Sequence, residues 1–158
     1  MNSDKIRIES YPEPIQVLID RINRIYIGSY NFRTDITELI TDEIISWASM
    51  NNWGSEREFE IYLIKNKNNQ LSRGKVDLVL DGNVSVSENN ILPLAIEIDR
   101  GDKNWSIEKL QHCQNLGFNC LWIRWGKKIK IDVPEGIWYY NFKISTRKQT
   151  RFDEYVTK

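Results

Sequence analysis

The segment from Cys120 to Trp125, CLWIRW, is the part of the sequence that most constrains the fold. It is apolar enough to be buried on both faces, which is typical of an interior strand in a sheet covered on both sides. A strand-like segment from Pro93 to Asp99 and a helical pattern from Trp105 to Asn115 precede it. A strand, a helix and a second strand in this order indicate a crossover helix that returns the chain to the same sheet.

Hydrophobic periodicity predicts the remaining elements. Tyr11 to Pro14 is rich in proline and predicts a stop before the first regular element. The residues from Lys65 to Ser72 are polar and predict a turn. The expected elements are a short helix carrying Ile15, Leu18, Ile19 and Ile22, a helix from Ile36 to Asn51, and strands at Phe59 to Leu63, Lys75 to Leu80, Lys128 to Val133 and Ile137 to Ile144.

This order predicts a mixed α/β fold in one domain over residues 1–158. The core is expected at about residues 35–125 and a basic extension at about 126–158. No apolar run approaches the roughly 20 residues of a membrane span, and nothing resembles a signal peptide, so we expect a cytoplasmic protein. Cys113 and Cys120 are expected to be buried thiols rather than a disulfide or half of a zinc site. The single histidine, His112, excludes a histidine-rich metal site.

Charge is unevenly distributed although the formal net charge is zero. From Asp35 to Glu60 there are seven acidic residues and one basic residue, and from Arg124 to Arg151 there are eight basic and two acidic residues. An asymmetry of this kind favours an anionic partner for the C-terminal part, although solvated faces on both halves would produce the same pattern.

Carboxylates in the strand-like segments are the main candidates for chemistry. Asp77, Glu97 and Asp99 lie in apolar surroundings, where a carboxylate is costly unless it is paired or bound to a cation. Glu97 and Asp99 share one face of their strand with backbones about 7 Å apart, and Glu43 lies within the apolar stripe of its helix. Oxygen ligands without histidine or cysteine favour magnesium over zinc. The alternative is that these acids pair with nearby basic residues, namely Arg73, Lys75, Arg100 and Lys103.

The segments GKVDLVL and LAIEID carry a resemblance to a known family. The succession of a helix, three strands, a helix and a strand resembles the PD-(D/E)XK nuclease superfamily, which has the restriction-endonuclease-like fold. That superfamily places an aspartate on the second strand and a glutamate-x-lysine on the third, positions that match Asp77 and Glu97. A glutamate on the first helix often joins its site, and Glu43 is the matching candidate. The resemblance covers about residues 35–125.

One position departs from the superfamily pattern, because Asp99 stands where the motif has its lysine. Lys103 and Lys109 are the available substitutes, and a helix packed on the sheet would hold Lys109 more rigidly than a turn would hold Lys103. Lysine suits this role as a mobile point charge. An inactive site is the remaining alternative.

The resemblance implies a magnesium-dependent endonuclease acting on DNA, with manganese as a substitute metal. The metal would be held by Asp77 and Glu97, with Asp99 as a further ligand or as the acceptor of the water's proton, and a lysine would stabilise charge on the phosphate. The alternative is a catalytically inactive module of the same fold that binds nucleic acid or a protein partner, and a homodimer is also compatible with the sequence. A plain structural interaction domain is expected if the acids point apart.

Basic residues after the fourth strand are candidates for phosphate contacts. Trp122 and Trp125 lie on that strand and Trp138, Tyr139 and Tyr140 follow it; such aromatic residues either stack on unpaired nucleotides or belong to the core. The expected nucleic-acid contacts are Lys127, Lys128, Lys130, Arg147 and Lys148.

Overall fold

A five-stranded mixed sheet organises the chain in a computed structural model that describes residues 11–25, 33–64, 70–82, 91–126 and 129–142. Three helices accompany the strands within these ranges. In chain order the elements are α1 (Glu13–Asn23), α2 (Arg33–Met50), β1 (Gly54–Ile64), β2 (Leu71–Asp81), β3 (Leu94–Arg100), α3 (Asn104–Asn115), β4 (Asn119–Trp125) and β5 (Ile137–Phe142).

The strands lie in the sheet in their order along the chain, from β1 to β5. β1 and β2 form an antiparallel hairpin and β2 pairs antiparallel with β3, whereas β3, β4 and β5 are parallel to one another. The parallel pair β3 and β4 is connected by α3, which confirms the expected crossover. The mixed α/β fold predicted from periodicity is therefore present.

Helices cover both faces of the sheet and create two cores. The core on the side of α1 and α2 includes the apolar stripes of both helices and alternate residues of β2, β3 and β4. The core on the opposite side lies under α3 and includes Leu110, Cys113 and Trp122. Alternation along a strand sends successive side chains to the two cores. Burying one leucine or isoleucine in either core stabilises the fold by roughly 1.5–3 kcal/mol.

β4 is buried along nearly its whole length, as the sequence CLWIRW predicts. Trp122, Trp125 and Tyr139 are buried in the two cores, so these aromatic residues belong to the core rather than to an exposed stacking surface. Gly117, with φ of +94°, follows α3 at the expected end of that helix. Cys113 and Cys120 are free and buried, as expected.

Two predictions of local structure were wrong. Leu71 and Ser72, expected in a turn, belong to β2, because the hairpin of β1 and β2 extends past the part that pairs with β3. The strand expected at Lys128–Val133 is not formed by residues 129–133. Because β4 and β5 are parallel, the connection between them has to return along the sheet, and Val133 packs in the core under α3 on the way.

None of the helices in the described ranges is long and apolar enough to cross a membrane.

Candidate metal and catalytic site

The ladder between β2 and β3 is short, and its end defines the candidate site. Its Cα partners are Leu80 with Leu94, Val79 with Ala95, and Leu78 with Ile96. One residue further along this register, Asp77 and Glu97 face each other. The strands therefore separate at the two acids that the sequence motif singled out.

Crossed hydrogen bonds replace the ladder at this point. The backbone N–H of Asp77 donates to Glu97 Oε2 at 2.7 Å, and the backbone N–H of Ile98 donates to Asp77 Oδ2 at 2.7 Å. Each carboxylate thus accepts a hydrogen bond from the backbone of the opposite strand. Because a buried backbone N–H without a partner is costly, these two side chains hold the strand ends in place.

The carboxylates of β3 face α3. Ile96 and Ile98 pack in the core under α1 and α2, whereas Ala95 packs in the core under α3. By alternation, Glu97 and Asp99 lie on the same face as Ala95. Both are buried, with exposed fractions of 1% and 4%.

Lys109 of α3 reaches Glu97. Its ammonium group forms an ion pair with Glu97 Oε1 and donates to the backbone carbonyl of Lys75 at 2.7 Å. The lysine therefore spans the gap between β2 and β3. The structure places on Glu97 the helix lysine that the sequence favoured as a substitute for the missing motif lysine.

Asp99 and Lys103 form a neighbouring set of contacts. Asp99 Oδ2 accepts hydrogen bonds from the hydroxyl of Ser106 and from Trp122 Nε1. Lys103 Nζ lies 3.3 Å from Asp99 Oδ1, and the Lys103 side chain is largely exposed. The two candidate lysines thus contact different acids, since Lys103 contacts Asp99 and Lys109 contacts Glu97.

Burial disfavours the simultaneous ionisation of Asp77 and Glu97. Loss of hydration raises the pKa of Glu97 to about 7; the charge of Asp77 also raises it, and Lys109 only partly opposes this. Burial likewise raises the pKa of Asp77, against the effect of the hydrogen bond from Ile98. A positive charge added between these carboxylates would favour their ionised forms.

Glu58 is an acid that sequence reasoning missed. In the register of β1 and β2 it lies between the pairs Arg57–Leu78 and Phe59–Val76, which places it opposite Asp77. Its φ is +55°, a left-handed conformation that is uncommon for a residue other than glycine. Its charge also contributes to the raised pKa of Asp77. In the sequence, Glu58 is one of three alternating glutamates, and nothing distinguishes it from its neighbours.

Glu43 is not brought to these acids. It forms an ion pair with Arg21 of α1 at 2.7 Å, and α2 packs on the face of the sheet opposite to α3. Among the expected nucleic-acid contacts, Lys130 is exposed. Lys127, Lys128, Arg147 and Lys148 lie outside the described residues.

A buried ionic network lies beside the site at the carboxyl ends of β3 and β4. Arg124, with 2% exposure, donates to Asp102 at 2.7 Å and to the backbone carbonyl of Ile131 at 2.8 Å. Asp102 in turn accepts the backbone N–H groups of Lys130 and Ile131 at 2.6 and 3.1 Å. The turn after β3 and the segment after β4 are thereby joined.

The donor set is small for a metal site made by protein ligands alone. Within the described ranges, no group of three or more histidine, cysteine, aspartate or glutamate side chains is arranged to hold a metal ion. Magnesium usually keeps several waters and takes one or two carboxylates from the protein. Asp77 and Glu97, two oxygen donors whose ionised forms need a positive neighbour, are compatible with that mode of binding.

Comparison of the sequence with protein-family models and with curated proteins gave no match. We therefore infer function from the arrangement of Asp77, Glu97 and Lys109, together with the motif that these residues resemble.

Proposed function

We propose that this chain is a metal-dependent endonuclease that hydrolyses phosphodiester bonds of DNA. The observation that carries the proposal is the meeting of Asp77 and Glu97 where β2 and β3 separate, with Lys109 against Glu97. Two carboxylates and a lysine at such a point provide ligands for a hard cation and a positive group for a phosphate.

The element order supports a restriction-endonuclease-like core within this fold. The chain runs through a helix, three strands, a helix and a strand, which are α2, β1, β2, β3, α3 and β4. The acids that match the superfamily motif lie on the second and third of these strands. We propose that residues 35–125 form this core and that β5 is an addition to it.

Asp77 and Glu97 are the residues that would hold magnesium, or manganese in its place. When bound, such a cation polarises the phosphodiester and lowers the pKa of a water. Among the described residues, none donates a hydrogen bond to Asp77 Oδ1, so this oxygen is available to a ligand.

Lys109 supplies the positive group in this proposal. Its ammonium group is largely buried and held between Glu97 and the carbonyl of Lys75. A phosphate next to Glu97 would gain a fixed positive charge there, which stabilises the charge that develops during hydrolysis. Lys109 would also limit repulsion between the phosphate and the three neighbouring acids, Asp77, Glu97 and Asp99.

A plasmid-nicking assay with magnesium tests the proposal. Wild type is expected to nick, and Asp77→Asn, Glu97→Gln and Lys109→Ala are each expected to lose about 10²-fold or more in rate, as when a charge-stabilising group is removed. The first two variants should also bind magnesium at least about tenfold more weakly by calorimetry, a loss of about 1.4 kcal/mol.

Asp81→Asn is the matched control, because Asp81 is an exposed aspartate at the far end of β2. It should nick and bind magnesium as wild type does. Unchanged magnesium affinity in both Asp77→Asn and Glu97→Gln would remove the basis for a metal site. Absence of nicking by wild type on every DNA offered would reject the enzyme.

The ion pair between Lys109 and Glu97 favours a second candidate function. A carboxylate that is neutralised by a lysine needs no metal, and the chain would then be an inactive module of the same fold that binds nucleic acid or a protein partner. In that case wild type should bind DNA without magnesium and without cleavage, and Lys109→Ala should destabilise the fold by leaving Glu97 unpaired.

A further inference from the structure

We infer that Asp99 is a positioning residue that fastens the first turn of α3 to β3 and so aims Lys109 at Glu97. The inference rests on the proposed function and deepens it. It assigns Asp99 a role other than the metal ligation expected from the sequence, and it brings Ser106 and Trp122, two residues with no assigned role, into the same arrangement.

The hydrogen bonds of Asp99 occupy the oxygens that a metal would need. Oδ2 accepts from both the Ser106 hydroxyl and Trp122 Nε1, the latter at 2.8 Å. A carboxylate oxygen offers about two lone-pair sites, so these two donors fill Oδ2. Oδ1 faces Lys103 at 3.3 Å. Ligation by Asp99 would therefore require a buried donor to be given up or an ammonium group to be displaced.

Two side-chain contacts connect α3 to β3. Asp99 contacts Ser106, and Glu97 contacts Lys109. Glu97 and Asp99 lie two apart on one face of a strand, and Ser106 and Lys109 lie three apart on one face of a helix. The helix runs opposite to the strand, so fixing Ser106 at Asp99 brings Lys109 level with Glu97.

The sheet side of this connection is buried and well packed. Trp122 is fully buried on β4 and lies directly opposite Glu97 in the register of β3 and β4. The guanidinium group of Arg124 lies 4.5 Å from the centroid of the Trp122 ring. The hydrogen bond from Trp122 therefore connects Asp99 to β4, and the hydrogen bond from Ser106 connects it to α3. The ammonium group of Lys109 is held by Glu97 and by the carbonyl of Lys75, and the placement of α3 decides whether the side chain can reach both.

Ser106→Ala and Asp99→Asn test the inference through three measurements, namely nicking rate, magnesium affinity and the ¹⁵N NMR signal of the Lys109 ammonium group without metal. In both variants the nicking rate is expected to fall by about tenfold or more, since a misplacement of 1 Å can cost about 10²-fold. Magnesium affinity should stay within about twofold of wild type in Ser106→Ala, and it should fall by less than about tenfold in Asp99→Asn, which loses a negative charge near Asp77. The ammonium signal, protected from exchange in wild type, should broaden or disappear.

Thr41→Val is the matched control, because Thr41 is also buried and its hydroxyl donates to a backbone carbonyl of α2 on the opposite face. It should leave all three measurements unchanged. Ser106→Ala should cause no further loss of rate when Lys109 is already alanine, because the serine acts through the lysine. General destabilisation would instead add to the effect of Lys109→Ala.

Two results would overturn the inference. One is a weakening of magnesium binding by at least about tenfold in Asp99→Asn while Ser106→Ala behaves as wild type, which would make Asp99 a ligand. The other is a protected Lys109 signal in both variants. If wild type neither cuts nor binds magnesium, the proposed function fails, and the Lys109 signal still decides the positioning role because it needs neither metal nor substrate.

Discussion

At the scale of single residues, Glu97 is a side chain whose ionisation depends strongly on its surroundings. It is 1% exposed, and the side chains that influence its charge come from two other elements, Asp77 from β2 and Lys109 from α3. With a pKa raised from 4.5 to about 7, the folded chain binds a proton at Glu97 in that pH interval, whereas the unfolded chain has released it. Folding stability is therefore coupled to pH at this residue.

The direction of that coupling is a prediction. The stabilising effect of protonated Glu97 is fully present below its ordinary pKa of 4.5 and is lost as pH rises through about 7. Between about pH 5 and pH 8, metal-free wild type should lose roughly 2 kcal/mol more unfolding free energy than Glu97→Gln. Urea denaturation at both pH values measures this difference.

Glu60→Gln is the control for this experiment, since Glu60 is an exposed glutamate on β1. It should follow wild type at both pH values. A difference between wild type and Glu97→Gln that is the same at both pH values would mean that Glu97 is ionised throughout.

Local pattern in the sequence was sufficient to predict some of the residues that the structure brings together. Asp77 and Glu97 were found because acids in apolar strands are conspicuous, and Lys109 because helical spacing brings it toward the strand. Glu43 was also proposed from helical spacing, but periodicity does not say which face of the sheet a helix covers. Glu58 was missed because its position depends on the register of a hairpin and on a backbone angle that no local pattern encodes.

At the scale of elements, the connection between β4 and β5 is organised by Asp102 and Arg124. Burial alone would raise the pKa of Asp102, but hydrogen bonds from the backbone N–H groups of Lys130 and Ile131 and from Arg124 hold it below its usual value. The contribution of the Asp102 carboxylate to folding stability is therefore present above its ordinary pKa. That contribution is lost as pH falls from the ordinary pKa through the lower pKa of the folded state.

Replacing Asp102 should consequently be costly. Asp102→Ala leaves the buried guanidinium of Arg124 without its charged partner, and the expected loss is about 3 kcal/mol at neutral pH by urea denaturation. Asp132→Ala is the control, since Asp132 is exposed on the same connecting segment. Equal stability of the two variants would show that the ion pair contributes little.

This network also explains why one predicted strand is absent. The apolar residues around Ile131 and Val133 resemble a strand in the sequence. Lys130 and Ile131 donate their N–H groups to the carboxylate of Asp102, which lies 28 positions before Lys130. A long-range side chain thus takes the place of a neighbouring strand. By contrast, α3 and β4 were predicted closely, because their hydrophobic periodicity is sufficient without such partners.

At the scale of the whole molecule, charge is unevenly distributed along the sequence on either side of the candidate residues. The acidic stretch from Asp35 to Glu60 covers most of α2 and the first part of β1, and the basic stretch begins at Arg124 at the end of β4. A polyanion would be attracted by the basic stretch and repelled by the acidic one.

Salt dependence tests whether the basic stretch contacts DNA. Alanine at Lys127, Lys128 and Lys130 together should weaken binding and flatten the slope of log affinity against log salt by up to about 0.9 for each lost phosphate contact. A triple alanine variant of the exposed residues Arg24, Arg57 and Arg73 has the same change in net charge and should keep the wild-type slope. The same slope in both triple variants would mean that the basic stretch is only solvated.

The crossed hydrogen bonds between β2 and β3 affect how Asp77 and Glu97 can be lost during evolution, because each acid supports the strand of the other. Glu97 holds the amide of Asp77, and Asp77 holds the amide of Ile98. A descendant that loses one acid is left with an unpaired amide on the opposite strand, a cost that exists even if the protein no longer has any use for a metal. We therefore expect lineages that abandon the chemistry to keep both acids as folding elements for a time, or to lose both together as the strands close into an ordinary ladder. Persistence of the pair in a related chain would then not by itself identify an active enzyme, and neither would the lysine of α3, because its ion pair with Glu97 also supports the fold.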